Sequence, residues 1–113
     1  GGLKSLQQSL QTLQTYIAAT PQFVDYRREL SNCYDALGSY HAKLAVRSDT
    51  PAEQQLAAWK EARNWYQQNL AVLQEHLKHT PNDSQSARYV LQASKNIARC
   101  DTALAGLAAK QQH

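Results

Sequence analysis

Apolar side chains return at alternating steps of three and four residues along nearly the whole chain, the spacing that lines up one face of an α-helix. The first stripe is Leu3, Leu6, Leu10, Leu13 and Ile17; the second is Phe23, Tyr26, Leu30, Cys33, Leu37, Tyr40 and Leu44. A third stripe runs Leu56, Trp59, Ala62, Tyr66, Leu70, Leu73 and Leu77, and a fourth is marked by Ala87, Val90, Ser94, Ile97, Ala98, Leu104 and Leu107. The breaks fall where helices cannot continue. Thr20-Pro21 and Thr80-Pro81-Asn82-Asp83 interrupt the pattern because proline lacks an amide donor and pushes the preceding residue out of the helical region. Arg47-Ser48-Asp49 is a polar turn, and Thr50-Pro51-Ala52-Glu53 reads as a helix start with Thr50 capping, Pro51 in the first turn and Glu53 reaching back. The expected fold is all-α, with four long helices over about 3–19, 22–46, 51–79 and 83–110 in one domain, 1–113. Only 4 Gly and 3 Pro in 113 residues, beside 14 Gln, agree with long helices and exclude a sheet architecture.

The pattern is also repeated. Shifting the chain by 60 residues lays 7–21 over 67–81 with seven of fifteen positions identical: Gln7/Gln67, Gln8/Gln68, Leu10/Leu70, Leu13/Leu73, Gln14/Gln74, Thr20/Thr80 and Pro21/Pro81. The register continues through Arg28/Arg88, Leu30/Val90, Leu37/Ile97, Gly38/Ala98 and Leu44/Leu104, so 7–46 lies over 67–106. A two-helix unit used twice implies that each copy buries its apolar face against the next, as in helical solenoids.

Tyr34, Leu37-Gly38, His41, Ala62, Tyr66 and Pro81 resemble the pattern of the tetratricopeptide repeat. The small residues Ala62 and Gly38 then allow the paired helices a close approach. The repeat is stretched, with about twelve residues added between the helices and about seven at two other places; seven residues are nearly two turns and keep the buried stripe on one side. A closer resemblance is to the long-helix repeats in the C-terminal regions of bacterial serine/threonine protein kinases, carried by Pro21, Arg27-Arg28-Glu29-Leu30, Leu37-Gly38 and the run Ile97 to Leu104. That resemblance implies antiparallel hairpins in right-handed stacking, and a cytoplasmic place within a larger bacterial signalling protein. It carries no chemistry: the chain has no Gly-rich phosphate loop, no His-Arg-Asp and no Asp-Phe-Gly, so phosphoryl transfer belongs to another part of such a protein. The lack of Met and the Gly1-Gly2 start fit an excised piece of a longer chain.

Charge narrows the partners. A net +3 is scattered singly except at Arg27-Arg28, whereas a phosphate-tracking surface needs a contiguous basic stripe, so nucleic acid is not the expected partner. No apolar run reaches the roughly 20 residues of a membrane-spanning helix. Cys33 and Cys100 read as packing residues in a reducing compartment. His76 and His79 beside Glu75 have a spacing that a metal could use, but no third ligand is evident and both suit the carbonyl end of a helix. His41 lacks the positioned partner that catalysis needs. Neither catalytic residues, nor a metal site, nor a cofactor is expected. Trp65, off the main stripe, either packs on a neighbouring helix pair or lies at an interface.

The useful surface of stacked helix pairs is the side lined by the first helix of each pair. Asn32, Asp35, Ser39 and Lys43 would line it on the second helix, and Gln92, Lys95, Arg99 and Ala103 on the fourth. Its basic part suits an acidic peptide. The expected function is therefore a non-catalytic protein-interaction or assembly module, self-association included. The alternative is an antiparallel four-helix bundle serving as a spacer or homodimerisation domain.

Overall fold

A computed structural model describes residues 2–19 and 27–111 of the chain, with side chains of 16–19 and 111 outside the description. It contains α1 (Gly2–Ala19), α2 (Arg27–Ala45), α3 (Ala52–His79) and α4 (Ser84–Gln111). The architecture is all-α, with no strand among the described residues. Pro21, Phe23, Tyr26 and the expected start of the second helix at 22 lie outside the described residues, as does the side chain of Ile17.

Each helix packs chiefly on its neighbour in sequence: α1 on α2, α2 on α3, and α3 on α4. Along α2 and α3 the pairings descend. Arg27 donates to the carbonyl of Glu75, Ser31 bonds Asn69, Ser39 meets Tyr66, and Ala42 and Ala45 share a cluster with Ala58 and Trp59. The molecule measures 54 × 30 × 17 Å, so its least dimension admits about two layers of helices.

Two apolar clusters hold these contacts. One gathers Leu10, Tyr34 and Leu37 with Leu3, Leu6, Cys33 and Trp65, joining α1 to α2 and α3. The other gathers Ala42, Ala62, Tyr66 and Cys100 with Ile97 and Leu104, joining α2, α3 and α4. Cys33 and Cys100 are free thiols in different clusters, and burial raises both above the ordinary thiol value. Trp65 packs inside the molecule, its ring stacked on Tyr34 with centroids 5.9 Å apart.

The α2–α3 seam depends on Gly38. A Cβ placed there would lie 2.6 Å from Cε1 and 2.7 Å from Cδ1 of Tyr66, so the buried ring rests directly on the α2 backbone. Ala62, one turn before Tyr66, is fully buried and supplies the other small surface.

The apolar periodicity misplaces parts of two faces. Tyr40 is exposed and meets His41 edge to face, while Tyr34 is the buried tyrosine of α2. On α4, Ala87, Ser94 and Ala98 face solvent, and the buried seam is Ser86, Ala93 and Cys100, spaced by seven. That seam is built of small side chains, one of them a hydroxyl, so a search for large apolar residues sets the face about one residue off. The start of α3 also differs. Pro51 occupies the cap position, and the Thr50 hydroxyl donates to the Leu44 carbonyl at 2.8 Å, closing the end of α2 instead of opening α3.

Candidate functional site

α3 packs on both α2 and α4, and the three helices share one apolar cluster, so α2 and α4 come near each other. At their N-terminal ends the Arg28 guanidinium donates to Gln85 Oε1 at 2.6 Å, and the Gln85 amide donates to the Tyr89 hydroxyl at 3.0 Å. Beyond this bridge the helices enclose a cavity of about 280 Å³ that opens to solvent. Ser31, Asn69 and Ala93 are buried at its base. The Ser31 hydroxyl donates to Asn69 Oδ1, an interhelical hydrogen bond that fixes α2 against α3. Asn32, Asp35, Tyr89 and Gln92 complete the lining. A second hollow adjoins it, sharing Tyr89 and Gln92 and adding Gln85 and Arg88.

Three residues expected on a shared groove, Asn32, Asp35 and Gln92, thus line one cavity. The others stand elsewhere. Ser39 is 3.3 Å from the Tyr66 hydroxyl, Lys43 and Lys95 are exposed outside the cavity lining, and Arg99 lies over the Trp59 ring at 5.4 Å. A guanidinium over an indole face is held by the ring quadrupole, by about 0.5–1 kcal/mol at an exposed site. Of the cavity-lining residues, Asp35 alone carries a charge. Burial raises its carboxyl above the ordinary value, and it makes no hydrogen bond or ion pair with a described residue. Ser31, Asn69 and Tyr89 had no place in the expected groove. Asn69 carries a signal only in hindsight, as an amide one helical turn beyond the apolar Tyr66.

The histidines have structural surroundings. His76 Nε2 lies 2.9 Å from Asp83 Oδ2, and Asp83 also accepts from the Ser86 amide at 3.1 Å and the Ser86 hydroxyl at 2.8 Å. His76 stands in the last turn of α3, and its Nε2 also meets the carboxylate that caps α4. These hydrogen bonds, His76 first, hold the Asp83 carboxyl well below the usual carboxylate range. His, Asp and Ser are all present, but the carboxylate stands between the other two and Ser86 is fully buried, so no activated hydroxyl results. His79 bonds Glu75 at 3.3 Å. Among the described residues no three His, Cys, Asp or Glu side chains converge as metal ligands. His41 is half-buried beside Leu44, Ala58 and Glu61; burial lowers its pKa and Glu61 partly offsets this. No described helix is long and apolar enough to cross a membrane.

No protein-family model matches the chain, and neither a curated protein nor a solved structure gives a match to it.

Proposed function

We propose that the chain is a tetratricopeptide-like module of two antiparallel helical hairpins, binding a partner protein through the groove between α2 and α4 without catalysis of its own. The observation that carries this reading is the open polar cavity built jointly by α2, α3 and α4. The descending order of the α2–α3 pairings supports the hairpin, and Gly38 and Ala62 stand at close helix approaches where the resembled repeat has small residues. From the same resemblance we infer a cytoplasmic setting within a larger bacterial signalling protein. Lys43 on α2 and Lys95 on α4, both exposed outside the cavity lining, suit an acidic stretch of the partner.

The rival reading, a homodimerising spacer, is favoured by the exposed Leu91 and Tyr89 on α4. Against it stands the packing order, since a closed bundle brings its first and last helices together and the chief contacts here are between sequence neighbours.

A displayed library of random dodecapeptides, presented to the folded chain, separates the two. Enriched peptides whose binding is lost in Gln92→Trp, which fills the cavity mouth, support the groove. If no enriched peptide is sensitive to that change, and light scattering shows a dimer of the 12.7 kDa chain, the spacer reading replaces it.

A further inference from the structure

We infer that the cavity between α2, α3 and α4 receives an arginine side chain of the partner, with Asp35 as its counter-ion and Tyr89 as the aromatic wall beside it. The inference rests on the groove reading above and names the group that enters it.

Asp35 is the starting point. Its carboxylate is half-buried on the cavity wall, and no cation among the described residues pairs with it. Removing a charge from water without a partner is costly, and the fold leaves that cost uncompensated at a place open to a ligand. The nearby cations are turned to other tasks: Arg28 holds Gln85, and Arg99 lies on Trp59. Arg88 lines only the adjoining hollow, where it suits a backbone carbonyl of a bound peptide. An acidic side chain would meet Asp35 with like charge and find no cation in this wall.

The rest of the lining selects among cations. Asn32 and Gln92 add side-chain amides, the Gln92 nitrogen already donating to Asn96 and leaving its oxygen to accept, and Tyr89 presents a half-exposed ring. The base is already satisfied, Ser31 with Asn69. A guanidinium has five N–H donors in one plane and no acceptor, forms paired bonds to a carboxylate, and stacks on aromatic faces. A lysine ammonium uses the carboxylate but not the flat wall. At about 280 Å³ the cavity is at or below the lower bound of pockets that enclose drug-sized ligands, and suits one side chain better than a metabolite.

The test uses N-acetylated, C-amidated peptides Ala-Ala-X-Ala-Ala with X as arginine, citrulline, lysine or glutamate, titrated into the isotopically labelled chain and followed by NMR. Citrulline keeps the shape of arginine and removes its charge. The arginine peptide is expected to shift the amides of Asn32, Asp35 and Gln92 and to bind at least tenfold more tightly than the citrulline peptide. Asp35→Asn should erase that difference, and Tyr89→Ala should weaken the arginine peptide about threefold. Equal binding of arginine and citrulline, occupation of the cavity by the glutamate peptide, or no shift with any peptide each overturns the inference. Library peptides that lack arginine yet are blocked by Gln92→Trp would end it while leaving the groove reading standing. A library with no such peptides ends both.

Discussion

The contact between Gly38 and the Tyr66 ring shows how much one hydrogen atom in place of a methyl can decide. Alanine is the better helix former by about 1 kcal/mol, so on propensity alone Gly38→Ala would stabilise α2. Here the added Cβ meets a buried ring at 2.6 Å, and overpacking of this kind costs about 1–3 kcal/mol. The expected net effect is a loss of about 1 kcal/mol in urea unfolding, and a smaller one in a Tyr66→Leu background, where the space is relieved. A gain in stability would show that the ring yields freely. Leu37 gives the complementary case. It is 0% exposed at the junction of α1, α2 and α3, so Leu37→Ala should cost about 3 kcal/mol, whereas Leu91→Ala, at a site 63% exposed, should stay within about 0.5 kcal/mol. Asp35 belongs to a different class of residue. Burial raises its folded-state pKa, so the folded chain binds more protons than the unfolded one near the ordinary carboxylate range, and the ionised group opposes folding once pH rises through both values. Asp35→Asn should therefore raise the melting temperature at pH 7 and leave it unchanged at pH 3. A drop at pH 7 would mean that the carboxylate has a partner within the fold.

At the level of single helices, the termini explain what the stripes do not. Asp83 caps α4 and ties it to α3 through His76, and its carboxyl is held far below its unfolded value. The sign follows directly: the folded state binds fewer protons, so this stabilisation is complete above about pH 5 and fades as pH falls below about 4 through the depressed folded value. Asp83→Asn keeps a side chain that can cap but removes the charge facing His76. Its melting temperature should lie below that of the parent at pH 7, and the two curves should converge as acid is added; a constant gap down to pH 2 would refute the assignment. The existence of four helices was legible because Leu10, Leu37, Leu73 and their neighbours repeat with one period, and burial follows that period at Leu10, Leu37, Trp59, Tyr66 and Leu73, though not at Tyr40. The face of α4 was only partly legible: Cys100 reads as a packing residue, but the small Ser86 and Ala93 give too weak an apolar signal to set the face. Thr50 was misread for a related reason. A threonine before proline can serve either the helix ahead or the helix behind, and only the tertiary position of Leu44 decides.

For the molecule as a whole, the order of packing matters more than any one contact. α3 is held on two sides, by α2 and by α4, while α1 rests mainly on α2. Amide exchange should accordingly be slowest in α3 and fastest in α1, and a reversed order would mean that the described contacts do not set local stability. The same arrangement limits what could be read of the site. Helical spacing put Asn32, Asp35 and Gln92 on faces that could meet, but Ser31 and Asn69 at the base, and Tyr89 at the lip, follow from how closely α2, α3 and α4 approach, which no single-helix pattern contains. Contacts made mostly between sequence neighbours also set a schedule. As the chain leaves the ribosome, α2 finds α3 as soon as α3 is made, without waiting for distant segments. The bridge from Arg28 to Gln85 is the exception, spanning 57 positions. At about 5–20 residues per second, roughly 3–11 seconds of synthesis separate its two ends. The cavity is thus among the last features to exist in the nascent protein: a growing chain carries a helical framework before it carries anything a partner could hold.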